Sequence, residues 1–457
     1  MLGEVPRRSV CSLLLGLAAA ALTSATAAGS AAAATTTIES LPQEPSRFGA
    51  TGNITPSGRF AAMFSNARLA PNDTDSPISA FSDVYARDLQ TRTNTLVSVS
   101  SNGTKGNRDS AQPFVSDNGR YVVFASQATN FVTGDPGFVP QQIYLRDLQA
   151  GTTERVSVND AGERANGFSD AGNVSADGRF VVFSSSASNL VPGDTNGATD
   201  IFVRDRQTAT TRRASVSSKG KQTQGPLGSL NAEISSDGRY VVFASGSTGL
   251  VRKDANGAVQ DIFLHDLQTG ETELVSVSSA GVQATSESQS PSVSAGGRYV
   301  AFSSRSANLV EPDANGSDHD VFVRDRQTGT TERVSVSSDE VQGQNPPGSP
   351  FPADSANPWV SPDGRFVSFQ SQASNLVSDD TNSSAFNDVF LRDRQAGTTI
   401  RASVSTTGDQ GNNTSNNSSV SADGQRVLFT SSANNLATPD INATTDVFLR
   451  DLAVPTP

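Results

Sequence analysis

One cysteine, one tryptophan and two histidines in 457 residues leave few routes to familiar chemistry. The cysteine is Cys11, in an early apolar run, so the chain beyond it has no thiol. Disulfides, cysteine-based zinc sites and a cysteine nucleophile are thereby excluded there. His265 and His319 are the only histidines, and no G-x-S-x-G nucleophile motif accompanies them. Positive charge is in deficit: the formal net charge of −12 argues against nucleic acid or an anionic membrane as the main partner. No later stretch approaches the roughly 18–20 apolar residues of a membrane helix, so membrane insertion is not expected. Apolar residues at helical spacing are also missing beyond the N-terminus.

The N-terminus has the composition of an export signal. Arg7 and Arg8 precede an apolar run from Ser9 to Leu22, too short to span a bilayer, and small residues follow at Ala27 and Ala31–Ala34. Residues 1–34 are assigned as a signal peptide, which predicts a secreted, periplasmic or cell-surface protein. The paired arginines leave general and twin-arginine export both open.

What the chain has in abundance is repetition. A segment S-x-D-G-R-aromatic-V-V-F-x-S recurs with its turn glycine at Gly58, Gly119, Gly178, Gly238, Gly297, Gly364 and Gly424, in steps of 61, 59, 60, 59, 67 and 60 residues. Each copy is followed by D-[VI]-[FY]-x-[RH]-D, as in Asp320-Val-Phe-Val-Arg-Asp325, and then by a segment such as Thr330-Thr-Glu-Arg-Val-Ser-Val-Ser337. Each unit predicts four short strands. The first ends at an Asp-Gly hairpin turn, and the second (Tyr240-Val-Val-Phe243) is apolar on both faces. The third is likewise sandwiched, and the fourth alternates around Val334-Ser-Val336 as a half-exposed outer strand. Burial that falls from the inside of a unit to its edge is what a propeller blade needs.

The fold class is therefore all-β: a seven-bladed β-propeller of four antiparallel strands per blade over residues 35–455, with blades starting near 50, 111, 170, 230, 289, 356 and 416. The seventh unit lacks its fourth strand, and Thr35-Thr-Thr-Ile-Glu-Ser40 matches the missing piece. The N-terminal strand is predicted to close the last blade.

At these residues the chain resembles the TolB-like β-propeller repeat family, whose unit runs S-P-D-G-x-x-I-A-F-x-S, a loop, then D-I-Y-x-x-D. Ser361-Pro-Asp-Gly-Arg-Phe-Val-Ser-Phe369 is the nearest copy, and the resemblance covers residues 50–451. It implies a propeller and, by association, a binding role. The separate α/β domain of TolB and the hydrolase domain of peptidases with similar propellers have no counterpart in this sequence.

Tight turns join first to second and third to fourth strands, whereas second-to-third loops and blade-to-blade links are long. The two long classes emerge on one face, where function is expected. The second-to-third loops share N-L-V-x-x-D-x-N and run on to the Asp that opens strand three. They give Asp194/Asn196/Asp200, Asp254/Asn256/Asp261, Asp313/Asn315/Asp320, Asp380/Asn382/Asp388 and Asp440/Asn442/Asp446, with Asp73/Asp75/Asp83 in blade one. Hard oxygen donors in a tight loop suit Ca2+. The same residues also suit backbone-capping turns.

Blade two departs from the pattern with Phe131, with Asp135-Pro-Gly-Phe138, and with Gln142 in place of Asp. The 67-residue step carries five prolines and Trp359 within 340–359. Phe138, His319 and Trp359 are the candidates for ligand contact on the loop-rich face, with a local packing role as the alternative for Phe138 and Trp359. His265 occupies the arginine position of strand three, a structural replacement. The Arg-Asp pairs that recur in each blade, such as Arg204/Asp205, are scaffold. The expected function is a monomeric binding scaffold, with no catalytic residues, for a protein or carbohydrate ligand. The alternative is a propeller enzyme acting on polysaccharide through carboxylates.

Overall fold

A computed structural model describes residues 34–39, 49–73, 81–134, 140–223, 227–345, 348–382, 385–438, 440 and 444–452. The signal-peptide assignment lies outside the described residues.

Twenty-eight strands form seven separate four-stranded sheets, with no α-helix among the described residues. Blade five shows the unit: β18 (Ser288–Val293), β19 (Tyr299–Ser304), β20 (Asp320–Asp325) and β21 (Thr330–Arg333) pair in sequence order, all antiparallel. The first blade is β2 (Gly49–Ile54) to β5 (Thr93–Leu96), and the innermost strands of the next blades start at 110, 169, 229, 288, 355 and 415, each within one residue of the position expected. In the seventh sheet β1 (Thr35–Ile38) pairs with β28 (Asp446–Asp451), Thr35 opposite Asp451 and Ile38 opposite Phe448. The ring is closed by its own N-terminus, as the truncated seventh repeat requires.

Seven apolar clusters lie between adjacent blades, one at each interface. Between blades two and three Val123, Ile143 and Leu145 meet Val181, Phe183 and Phe202. The phenylalanine of strand two stacks on that of strand three in blades three to seven, with centroids 5.7–6.0 Å apart. Full burial of each such side chain contributes about 1.5–3 kcal/mol. The Asp-Gly turn locks neighbouring blades. Gly297 has φ +70, and a Cβ there would stand 2.2 Å from the ring of Tyr240 in the preceding blade. Only glycine meets both demands. That ring is also capped by Arg239 and Arg326, 4.8 and 4.7 Å from its centroid.

The outer strand sits earlier than expected. It spans Thr330–Arg333, with an exposed-to-buried alternation, while Val334 and Val336 beyond it are buried. The chain turns inward there, because Ser335 donates to Asp320 Oδ1 and accepts from the Val321 amide.

The recurring Arg-Asp pairs are scaffold, though each partner reaches elsewhere. Asp205 is paired with Arg179 of the Asp-Gly-Arg turn at 2.7 Å and caps the amides of Gln207 and Thr208. Arg204 bonds Thr211 and, 3.3 Å away, the Asn159 carbonyl of the preceding blade.

Candidate functional site

The aspartate opening strand three ties its blade together. One carboxylate oxygen of Asp200, Asp261, Asp320 and Asp388 accepts a hydrogen bond of 2.6–2.7 Å from Ser215, Ser276, Ser335 and Ser403 respectively. The other oxygen faces the loop, and in most blades a cationic side chain stands there. Arg213 lies 3.0 Å from Asp194 and 3.3 Å from Asp200. Arg333 lies 3.2 Å from Asp320 and 3.9 Å from Asp313, and Arg401 lies 3.5 Å from Asp388 and 3.7 Å from Asp380. In blade one Lys105 Nζ bridges Asp73 and Asp83 at 2.9 and 2.6 Å. Burial pushes Asp83 and Asp320 up to about 6, against the pull of these cations and of the serine hydroxyls.

The loop asparagines complete the network. Asn196 and Asn382 donate to Asp200 and Asp388, and Asn315 accepts from Gln342. Blade four differs, since Leu274 stands where Arg213, Arg333 and Arg401 stand elsewhere. There Gln283 Nε2 alone reaches Asp254, Asn256 and Asp261, at 3.2, 2.9 and 2.7 Å. Asp254, Asn256 and Asp261 thus form a loop set, described in full, that could hold a cation without displacing a guanidinium. Among the described residues no three His, Cys, Asp or Glu side chains cluster as a metal-ligand set. In blade seven Asp446 is buried and Asp440 half-buried. Asn442, like Asp75 in blade one, lies outside the described residues.

The singular residues divide. Phe138 lies outside the described residues. Phe131 is buried, edge-on to Phe124 and Tyr144 at 5.6 and 5.0 Å, so it is packing and not an exposed anchor. His265 takes the arginine's place by bonding Thr272 at 2.8 Å, and burial lowers its pKa to about 4. His319 is buried at the loop-rich end. Its Nε2 is 3.5 Å from Glu287, its Nδ1 has no hydrogen-bond partner, and burial lowers its pKa. Trp359 is not on a loop. It belongs to β22 (Ser355–Val360), the innermost strand of blade six, and faces the propeller axis.

The axis holds the most distinctive cavity. The innermost strands enter from the loop-rich end, and each breaks register with its neighbour by a bulge midway. Gln112, Asn231, Ser290, Asn357 and Asn417 sit at the bulge with φ between 50 and 52, a left-handed conformation that costs energy for non-glycine residues. They line a mouth of about 570 Å³.

Below the bulges one position per blade shares a register: Asn53, Phe114, Asn173, Glu233, Ser292, Trp359 and Ser419, of which Asn53, Phe114, Asn173, Glu233 and Trp359 line the axial cavities. Four of these accept the next blade's backbone N–H. Val115 donates to Asn53 (2.7 Å), Val293 to Glu233 (3.1 Å), Val360 to Ser292 (3.2 Å) and Ile54 to Ser419 (3.0 Å). Phe114 and Trp359 meet each other, centroids 5.8 Å apart at 33°, and line both the mouth and a pocket of only about 40 Å³ on the plain side. The mouth is therefore a funnel with an aromatic floor.

Among the described residues, Glu233 is the one ionisable side chain lining that mouth. Burial pushes its carboxyl up to about 7, although the Val293 amide and the Ser292 hydroxyl pull it back. Two further polar atoms beside the cavity lack partners: Asn173 Oδ1, in a residue 5% exposed, and Ser418 Oγ, in a residue 7% exposed.

Sequence reasoning singled out Trp359 but missed Phe114, Glu233 and Asn173. The available signal was variation inside the repeat. The residue before the last Val or Ile of each inner strand reads N, F, N, E, S, W, S, while the two positions after it hold to Val or Ile and then Ser or Thr.

No family model and no curated protein sequence matches the chain. Solved structures do. A prolyl endopeptidase structure matches 90% of this chain at 12% identity and a TM-score of 0.52, and the chain spans 51% of that protein. A protein from Agrobacterium tumefaciens described as a TolB matches 63% of this chain and 80% of its own at 17% identity, TM-score 0.36. A xyloglucanase from Xanthomonas campestris matches 91% of this chain and 55% of its own at 9% identity, TM-score 0.45. At these identities the likeness concerns the fold. The seven-bladed architecture agrees with the repeat's resemblance to TolB-like propellers.

Proposed function

We propose that the protein is an exported binding module that takes its ligand at the loop-rich mouth of the axial channel. The observation that carries this reading is the funnel itself. It is a cavity of about 570 Å³, floored by an aromatic pair, within the size range of ligand sites. Strained backbone around the rim supports it. So do apolar side chains exposed where the inner strands begin: Phe168, Leu227, Leu230 and Phe351 are 44–50% exposed. The acids that crowd the same face are bonded internally, as scaffold residues are. Export rests on the N-terminal composition. The ligand would be a segment of a protein or a carbohydrate.

Trp359 is the chain's only tryptophan, so its fluorescence reports on the channel alone. The experiment is a titration of the chain without residues 1–34 against envelope glycans, peptides and culture-supernatant proteins, with the composition of each mixture followed over time. A saturable change in Trp359 emission with the ligand recovered unchanged is the result expected. Steady conversion of a glycan would support the enzymatic alternative, and tight binding with an unmoved Trp359 signal would place the site elsewhere.

A further inference from the structure

We propose that the channel mouth binds an alkylammonium group, with Glu233 as its counter-charge and Trp359 and Phe114 as its walls, a proposal that rests on the mouth being the ligand site. Glu233, Phe114 and Trp359 occupy the same register on three inner strands, hence one level of the channel, and all three line both of its cavities. Aromatic faces beside a carboxylate attract a compact cation and leave its alkyl stem in apolar contact.

The mouth offers acceptors to such a group and no competing cation. Among the described residues its lining contains no Lys, Arg or His, whereas buried acids such as Asp320 and Asp83 are paired with Arg or Lys. Ser418 Oγ, buried without a partner, supplies a further acceptor in the mouth, and Asn173 Oδ1 supplies one in the plain-side pocket beneath it. Other acids nearby are engaged or distant from the mouth. Asp117 lines the plain-side pocket, and Asp170 of the neighbouring strand β10 (Ser169–Val174) accepts from Gln141. Tyr240 of β15 (Tyr240–Ser245) lies under Arg239 and Arg326. A carboxyl poised near neutrality ionises fully when a cation arrives, so binding should release a proton below about pH 7.

The probes are n-butylammonium chloride, its neutral isostere 1-butanol and the blocked tripeptide Gly-Lys-Gly, each titrated against Trp359 fluorescence and by calorimetry at pH 8 and pH 5.5. The result expected is saturable binding of butylammonium at pH 8, at least tenfold tighter than butanol, and at least tenfold weaker at pH 5.5. Glu233→Gln, shown folded by circular dichroism, should lose that tenfold preference, while Glu233→Asp keeps part of it. The tripeptide binding more tightly than butylammonium identifies a lysine side chain as the source of the amine, and the reverse order identifies a free aliphatic amine. Equal affinity for butanol and butylammonium, or an unaffected Glu233→Gln, overturns the proposal. If glycans or neutral peptides move Trp359 and amines do not, the cation is wrong and the mouth stands as the ligand site. If nothing of any class moves it, both fail.

Discussion

Glu233 sits in the channel at a cost to folding. Its carboxyl titrates near 7 in the folded protein against 4.5 in an unfolded chain. The folded state therefore holds the extra proton between those values, and stability falls as pH rises through that window. Below about 4.5 the penalty is absent, and above about 7 it is complete. Glu233→Gln is accordingly expected to stabilise the protein at pH 8 by about 1–2 kcal/mol, a figure discounted for water in the channel. At pH 4 it should make no difference. Urea unfolding midpoints at the two pH values check this, and an equal effect at both would contradict a desolvated carboxylate without a counter-charge. Reading Glu233 and Phe114 from sequence was hindered by the bulge in each inner strand. It breaks the two-residue alternation that tells which side chains face the axis. Trp359 was visible as a singular residue, but the same bulge hid that it points to the channel and not to a loop.

Between strands two and three, the Asp-x-Asn loops hold their charge in pairs, and in three blades the cation between the acids is an arginine from the end of the outer strand. The loops were legible as a repeated constellation. The arginines were not, because they come from another strand and meet the acids only when the blade is formed. Removing one should expose the pair. Arg333→Met is expected to cost about 3–5 kcal/mol at pH 8, since it leaves Asp313 and Asp320 buried without a counter-charge. The loss should shrink at pH 5, where Asp320, already raised to about 6 by burial, takes up a proton. Denaturant midpoints of the variant and the parent at both pH values measure it, and a loss independent of pH would mean that the guanidinium acts by packing alone. Calcium enters the same comparison. We propose that, in the unmodified chain, blade four takes the ion first, because Leu274 leaves Asp254 and Asp261 with neutral hydrogen-bond donors, Gln283 among them, in place of a guanidinium. A chelator-treated sample melted with calcium, and with magnesium as control, should show a rise for calcium that Asp254→Asn removes. No rise with calcium would assign these loops to hydrogen bonding alone.

The whole ring depends on a strand from the far end of the chain. β1 supplies the outer strand of blade seven, Thr36 Oγ1 donates to the Val404 carbonyl of blade six at 2.5 Å, and Glu39 pairs with Arg87 of blade one at 2.5 Å. This closure was legible because Thr35-Thr-Thr-Ile repeats the outer-strand pattern that blade seven lacks. Blade number followed from the regular glycine spacing for the same reason, as each blade buries its faces only against its neighbours. Deleting residues 1–39 should therefore lower stability by about 2–3 kcal/mol, seen as a lower midpoint in a calorimetric scan. An unchanged midpoint would mean that the ring holds without its clasp.

Whether ligands enter at the loop-rich mouth is decided by blocking one face at a time. A chain without residues 1–34 has no thiol, so a single engineered cysteine can carry a bulky maleimide dye to either face. Asn231→Cys labels the mouth, and Gln327→Cys labels the turn between β20 and β21 on the plain face. The dye at 231 is expected to abolish whatever binding the Trp359 titrations reveal, while the dye at 327 leaves it intact. Binding that survives the label at 231 and is lost with the label at 327 would contradict entry at the mouth.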